Sequence, residues 1–161
     1  MLFRSTIDDA LFEQNEAFQV SLSNATGGAT IGTASATGTI NNNALAGNDP
    51  APIFNVSGAS LTEGGVMTFT VTRTGNAQAA QTVAFGTSSG TAAAGSDFTN
   101  STGTLTFNQG DTSKTFTVQT IDDILFEGGT AEAFTVTLST ATGGAVIGDR
   151  KSTRLNSSHG Y

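Results

Sequence analysis

The stretch MTFTVT at residues 67–72 decides the fold class, because apolar and hydroxyl-bearing side chains alternate there without interruption. Successive side chains of a β-strand point to opposite faces of its sheet, so this stretch predicts a strand with one apolar face and one Thr-rich face. The same alternation recurs at residues 83–85, 105–107, 116–118 and 134–138. No segment keeps the 3.6-residue period of an amphipathic helix, and the chain is therefore predicted to be all-β.

Turn-forming residues separate these strands at intervals of roughly ten residues. Glycine, often beside Asn, Asp or Ser, marks the breaks at residues 64–65, 74–76, 89–90, 95–97 and 109–111. Short strands with one apolar face pack as two antiparallel sheets over a shared core. We therefore expect an immunoglobulin-like antiparallel β-sandwich.

The chain repeats itself with an offset of about 115 residues. IDDALFE at residues 7–13 recurs as IDDILFE at residues 121–127, and EAFQVSLS at residues 16–23 recurs as EAFTVTLS at residues 132–139. So many matches in register exceed what composition alone produces, and a unit of this length is the size of a β-sandwich domain. The sequence thus predicts one nearly complete repeat plus a half-repeat.

The repeat also suggests domain boundaries. Residues 1–43 are predicted to be the C-terminal half of one repeat, residues 44–52 a linker, and residues 53–148 a second repeat that lacks its last strand. Residues 149–161 match nothing earlier in the chain, so we interpret them as an unrelated, artefactual tail. Because an unpaired strand edge is available for pairing, we expect residues 1–43 to pack on the second repeat or to exchange between chains.

The charge balance limits the partners of the chain. It carries 13 acidic and 6 basic residues, a net charge of −7. Such a surface repels phosphate groups and favours cations, so we expect no nucleic-acid partner. No apolar run reaches the length of a transmembrane helix, so we expect no membrane insertion in this fragment. The absence of cysteine excludes disulfides and thiolate metal sites.

Carboxylates crowd the junction of two predicted strands, within eleven residues, at Asp122, Asp123, Glu127 and Glu132. Neighbouring carboxylates repel, and no Lys or Arg lies near them in the sequence. Ca²⁺ would relieve the repulsion, since it takes six to eight oxygen ligands and tolerates irregular loops. The half-repeat carries the same set at Asp8, Asp9, Glu13 and Glu16. The alternative is that these acids are solvated loop charges.

The residues give no basis for an enzyme. His159 is the single histidine and lies in the tail, and there is no cysteine. Zinc and copper therefore have no ligand set, and no base stands ready to activate a Ser or Thr hydroxyl. We predict that the chain is not an enzyme.

The order of short motifs resembles the Calx-beta family of sodium/calcium exchangers, integrins and large bacterial surface proteins. The motifs are DDxxFE, a following Glu, an FxVxL strand, then GGA, IG and TGTI, with LTEGG and GSDF upstream. The resemblance implies a calcium cluster at one tip of the sandwich, held by Glu63, Asp97, Asp122, Asp123, Glu127 and Glu132. The terminal acidic run of the family is replaced by three Asn at residues 41–43, which implies fewer ions and weaker binding.

The resemblance also implies a function. We expect a calcium-binding structural or adhesion module of a larger secreted or cell-surface protein, in which calcium stiffens the junctions between neighbouring repeats. The resemblance also allows a protein or glycan partner, but no residue pattern in the sequence identifies one. The alternative is a metal-independent spacer or adhesin repeat, whose acids keep the array soluble. Arg73 and Lys114 are interpreted as solvated strand charges.

Overall fold

The computed structural model describes residues 12, 15–41, 50–122, 131–148 and 151–156, the last six by their backbone alone. Every element in these ranges is a β-strand. The strands are β1 (Glu16–Ser21), β2 (Ser35–Ile40), β3 (Ile53–Val56), β4 (Ser60–Thr62), β5 (Val66–Thr74), β6 (Gln81–Ser88), β7 (Thr102–Phe107), β8 (Ser113–Gln119), β9 (Glu132–Ser139), β10 (Val146–Ile147) and β11 (Lys151–Asn156). The described ranges contain no helix with the length and apolarity of a membrane span.

Strands β3 to β11 form two sheets. One has the order β10-β3-β5-β8 and the other the order β4-β11-β9-β6-β7. Neighbouring strands are antiparallel, except that β10 runs parallel to β3 and β11 runs parallel to β4. The first and last pieces of the repeat therefore lie side by side in both sheets. The predicted all-β sandwich is confirmed, with these two parallel pairs added to the expected antiparallel pattern.

The core lies between the two sheets. The three apolar residues of the 67–72 stretch are at most 1% exposed, as the alternation predicts. Phenylalanine rings from opposite sheets meet there: Phe69 of β5 lies 6.0 Å from Phe134 of β9, and Phe85 of β6 stacks on Phe116 of β8 at 3.9 Å between centroids. Full burial of a side chain of this size stabilises the fold by about 1.5–3 kcal/mol. The Phe-rich alternation thus supplies the main driving force for closing the sandwich.

Residues 151–156 form β11, a last strand that is not expected for this repeat from its sequence. The backbone of β11 pairs with β9, where Leu155 stands opposite Glu132. In the half-repeat Ile40 stands opposite Glu16, so Leu155 takes the register position of Ile40. Leu155 reaches this position because β11 is shifted by one residue from the offset that relates Glu16 to Glu132. The expectation that the second repeat lacks its last strand is therefore wrong, because β11 pairs with the edge of β9. The domain limits themselves stay predictions.

The hairpin of β1 and β2 forms a sheet of its own. Its large apolar side chains are exposed: Phe18 by 51%, Val20 by 51% and Leu22 by 61%. The expected packing of residues 1–43 on the second repeat is therefore not seen for this apolar face.

Arg73 is buried, with 2% of its surface exposed, and its interpretation as a solvated charge was wrong. The period of two that buries Met67 also turns position 73 inward. The guanidinium lies 5.5 Å from the centroid of the Phe107 ring. It donates hydrogen bonds of 2.8–2.9 Å to the main-chain oxygens of Ala79, Asn108 and Asp111. Its rigid fork of five donors therefore joins two loops at one end of the sandwich. Lys114, which is half-exposed, pairs with Asp111 at 2.7 Å.

Candidate metal site

The predicted ligands that the structure describes within the second repeat lie at the opposite end of the sandwich from Arg73. They stand in the turn between β4 and β5, in the turn before β7, just after β8 and at the start of β9, respectively at Glu63, Asp97, Asp122 and Glu132. These strand ends meet because Val66, the first residue of β5, pairs with Gln119, the last residue of β8. The topology therefore gathers acids that are up to 69 residues apart in sequence.

The turn that carries Glu63 is fastened to the end of β8 by Thr120, which is 1% exposed. The Gly65 amide donates to Thr120 Oγ1 at 2.9 Å, and the Thr120 amide donates to the Gly65 oxygen at 2.9 Å. Gly64 has a φ of 78°, and a Cβ added there would lie 3.0 Å from the Cβ of Asp122. Glycine at this position thus lets Asp122 lie directly against the turn of Glu63.

Asp97 is held by a tight turn. Its Oδ2 accepts a hydrogen bond of 2.6 Å from the Ala93 amide, and its own amide donates to the Ala93 oxygen at 3.0 Å. Gly95 has a φ of 96°, a conformation that costs glycine little. The next residue, Phe98, is fully buried and stacks on Phe134 with 4.3 Å between the ring centroids. The stacked rings therefore place Asp97 close to the start of β9.

A loop contact completes the approach of Asp97 to Glu132. The Ala92 amide donates to the main-chain oxygen of Ala133 at 3.0 Å. A Cβ added to Gly90 would lie 2.3 Å from that same oxygen, so only glycine permits the loop to come so near β9. With the loop in this position, Glu132 lies near enough to Asp97 for a hydrogen bond from Glu132 to lower the pKa of Asp97.

The electrostatics of this contact show what it can bind. Burial alone would raise the pKa of Asp97, but hydrogen bonds from the Ala93 amide, from Ser96 and from Glu132 hold its pKa below the ordinary aspartate value. An ionised carboxylate has no hydrogen to donate, so a hydrogen bond between two carboxyl groups requires a proton on one of them, and a bound cation can replace that proton. The pair is chemically suited to a hard cation.

The positive side chains that the structure describes lie far from this pair. Arg73 and Lys114 are at the other end of β5 and β8. The six steps along β8 from Ser113 to Gln119 correspond to about 20 Å. Arg73 and Lys114 therefore do not offset the charge of the acidic end.

The predicted ligand set is only partly brought together. In the described part of the chain, no three acidic side chains come close enough to hold one ion jointly. Asp97 and Glu132 are in contact, and Asp122 lies beside the glycine that follows Glu63. Glu16 is exposed in β1. The other predicted ligands lie outside the described residues: Asp8, Asp9, Glu13, Asp123 and Glu127.

Sequence reasoning missed the residues that position these acids. Neither Thr120 nor Gly90 is a predicted ligand. Thr120 fixes the turn that carries Glu63, and Gly90 fixes the loop that carries Asp97. Gly90 stands in a Ser-Gly pair that predicts a turn, but the sequence does not show that its missing Cβ admits a strand oxygen. Thr120 precedes the acidic motif directly, and that adjacency is its one signal in the sequence.

Comparison with known proteins agrees with this architecture. The sequence model of the Calx-beta domain matches residues 5–44 and 49–156. Adhesion G-protein coupled receptor V1 of Danio rerio is 35% identical over 145 residues, which is 89% of this chain and 2% of that receptor. The chain thus spans a small fraction of the length of this relative.

Solved structures share the fold. The apo-form Calx CBD1 domain superposes with a TM-score of 0.64 at 24% identity, covering 68% of this chain and 99% of that domain. The calcium binding domain CBD12 of CALX1.1 superposes with a TM-score of 0.61 at 26% identity, covering 65% of this chain and 45% of that chain. The family match occupies two blocks that follow the half-repeat and the repeat, and the second block includes β11. The chain belongs to the Calx-beta domain family.

Proposed function

We propose that this chain is a calcium-binding structural or adhesion module that works within a row of repeats, outside the cell or at its surface. The gathering of four predicted ligands at one end of the sandwich carries the proposal, because neighbouring carboxylates repel and a cation relieves that repulsion. Membership of the Calx-beta family and the likeness to an adhesion receptor and to a calcium binding domain support it.

The donor set favours calcium among the biological cations. Every candidate ligand is a carboxylate, and hard oxygen ligands suit Ca²⁺ and Mg²⁺. Mg²⁺ demands near-octahedral geometry, whereas these acids come from irregular turns and strand ends. Asp97 and Glu132 would supply the first oxygens, with Asp122 and Glu63 on the adjoining turn. Asp123 and Glu127 are expected to complete the shell.

An ion at this end would act on the junction between repeats. β11 ends beside β4, where Asn156 stands opposite Thr62, the residue before Glu63. Calcium bound there would restrict the direction in which the chain continues from the sandwich. Extracellular modules bind calcium at about 10⁻⁴–10⁻³ M, and calcium at a hundredfold its Kd would stabilise the folded state by about 2.7 kcal/mol.

Calorimetric titration of the full chain with Ca²⁺, and with Mg²⁺ as the competing ion, tests the proposal. We expect saturable, calcium-selective heat that Asp97→Asn and Glu132→Gln each weaken at least tenfold. Asp111→Asn is the matched control, because Asp111 lies at the other end of the sandwich and pairs with Lys114. Absence of heat up to about 10 mM calcium, beyond the weak end of extracellular sites, would contradict the proposal.

The second candidate is a metal-independent spacer or adhesin repeat. It is favoured by the finding that no three acidic side chains in the described ranges converge on one point. Under this alternative the shared proton alone holds Asp97 and Glu132 together, and the acids serve solubility. Identical melting curves in calcium and in chelator would select it.

A further inference from the structure

The chain enters the second repeat along the end of the sandwich that holds Arg73. Residues 50–52 lie directly before β3 and are the last three of the predicted linker. The Asn76 amide donates a hydrogen bond of 2.8 Å to the main-chain oxygen of Pro50. The Val146 amide donates another of 2.8 Å to the main-chain oxygen of Pro52, which is buried. The entering segment is thus fastened both to the turn after β5 and to β10.

The turn after β5, residues 74–79, is shaped to receive this segment, and we call it the entry turn. Gly75 has a φ of 83°, and a Cβ added there would lie 2.4 Å from the main-chain oxygen of Ala51 and 3.1 Å from that of Pro50. Asn76 is 7% exposed, and its side-chain oxygen accepts a hydrogen bond of 2.9 Å from the Gln78 amide. Glycine therefore admits the entering main chain, and Asn76 holds the turn in shape.

Arg73 supports the entry turn from inside the sandwich. Its guanidinium donates hydrogen bonds to the main-chain oxygens of Ala77 at 3.4 Å and Ala79 at 2.9 Å, and to that of Asn108 at 2.8 Å. The Gly110 amide donates to the Ala77 oxygen at 2.9 Å. The turn is therefore tied to the neighbouring loop as well as to the buried cation, and these ties use main-chain oxygens.

We propose that the entry turn fixes the direction in which the chain enters a repeat, and that it does so equally with and without calcium. The inference rests on the proposed function for its setting, a row of repeats in which calcium acts at the acidic end. β5 separates the turn that carries Glu63 from the entry turn, and its nine residues extend over about 27 Å. The Debye length at physiological ionic strength is about 8 Å, so the charge of an ion at the acidic end is screened at this distance. Calcium then governs how the chain leaves a repeat, whereas hydrogen bonds govern how it enters the next.

Nuclear magnetic resonance of the full chain, in chelator and in calcium, tests the proposal. It measures the backbone order parameter of the Ala51 amide and the hydrogen exchange of the Asn76 amide, which donates to Pro50. In chelator we expect an order parameter of about 0.85 for Ala51, the value of rigid backbone, and slow exchange of the Asn76 amide. Calcium should change neither quantity.

A pair of glycine variants separates the contact with the entering chain from backbone strain. Gly75→Ala should lower the order parameter of Ala51 below about 0.6 and speed exchange of the Asn76 amide at least tenfold, because its Cβ displaces the Ala51 oxygen. Gly110→Ala is the matched control. Gly110 also has a φ of 83°, but a Cβ added there meets nothing within 4 Å, and alanine keeps the amide that donates to Ala77. It should leave both quantities unchanged.

Three results would overturn the proposal: an Ala51 order parameter below about 0.6 in the parent in chelator, ordering of Ala51 only after calcium is added, or equal effects of Gly75→Ala and Gly110→Ala. The first two need the parent chain alone, so the proposal stays testable if Gly75→Ala does not fold. Ordering that requires calcium would overturn this inference while supporting the proposed function. Conversely, calorimetry without calcium heat would contradict the proposed function, and the order measured in chelator would still decide this one.

Discussion

Replacing Glu132 by Gln should raise the stability of the calcium-free protein and remove the stabilisation that calcium gives. Without calcium the pair either carries two charges or takes up a proton against the bulk pH, and the cost is bounded by the repulsion of two unit charges 4 Å apart, about 1 kcal/mol in water and about 4 kcal/mol at an effective dielectric constant of 20. Both side chains of the Asp97–Glu132 pair are partly exposed to solvent, which screens the interaction, so we take the lower figure. The Gln amide also donates a hydrogen bond to Asp97 without needing a shared proton.

Differential scanning calorimetry in chelator and in saturating calcium measures both effects. In chelator the Tm of Glu132→Gln should exceed that of the parent by about 4–8 °C, the shift expected for 1 kcal/mol in a domain of about 100 residues. In calcium at a hundredfold Kd the parent gains about 2.7 kcal/mol and the variant gains little, so the order reverses by about 1.7 kcal/mol. A variant that is destabilised in chelator and still responds fully to calcium would refute the reasoning.

Three other outcomes follow from the structure. Arg73→Met should lower the free energy of unfolding by about 1–3 kcal/mol in urea titrations, because it leaves part-buried main-chain oxygens without donors, and should leave calcium binding unchanged. The pKa values of Asp97 and Asp111 are lowered in the folded state, Asp97 by hydrogen bonds that outweigh burial and Asp111 first by its hydrogen bond with Lys114. Their stabilisation is therefore present above the unfolded-state pKa near 4 and is lost as pH falls through the lower folded values, so urea midpoints should be flat from about pH 5 to 7 and drop below about pH 4. Gly90→Ala should cost about 1–3 kcal/mol and weaken calcium binding, because its Cβ would meet a main-chain oxygen of β9 at 2.3 Å, whereas Gly86→Ala, whose Cβ meets nothing closer than 3.7 Å, should do neither.

The fold was accessible from the sequence because its strands keep a period of two. The stretch at residues 67–72 alternates strictly, and burial follows that alternation residue by residue. The same rule, applied one step further, would have placed Arg73 inside. The charge of Arg73 favours a surface position and its register favours a buried one; the register decides, because the donors of the guanidinium are satisfied by loop oxygens at the end of the sandwich.

The candidate site was predicted as a set of acids but not as a geometry. The repeated motif identified Asp122 and Glu132, and the family resemblance added Glu63 and Asp97. The approach of Asp97 to Glu132 depends on the loop before β7. The course of that loop is set by Gly90, which lies against the main-chain oxygen of Ala133, and by Phe98, whose ring stacks on Phe134. Such contacts join residues far apart in the chain, and no local pattern encodes them.

The last strand shows a different limit of sequence reasoning. Residues 149–161 match no earlier segment of the chain, but strand pairing depends mainly on main-chain hydrogen bonds. The open edges of β9 and β4 accept residues 151–156 with a register shift of one residue. Dissimilar side chains therefore do not prevent a segment from completing a sheet.

The parallel pairing of β3 with β10 and of β4 with β11 bears on how a row of such domains carries mechanical load. β3 begins at one end of the sandwich and β11 finishes at the other. Tension along the row therefore pulls β3 against β10, and β4 against β11, in opposite directions along the length of the strands. Their interstrand hydrogen bonds are then sheared together instead of being unzipped one at a time. Rupture under tension is governed by the unfolding rate, and this geometry requires both terminal pairs to fail before the core opens.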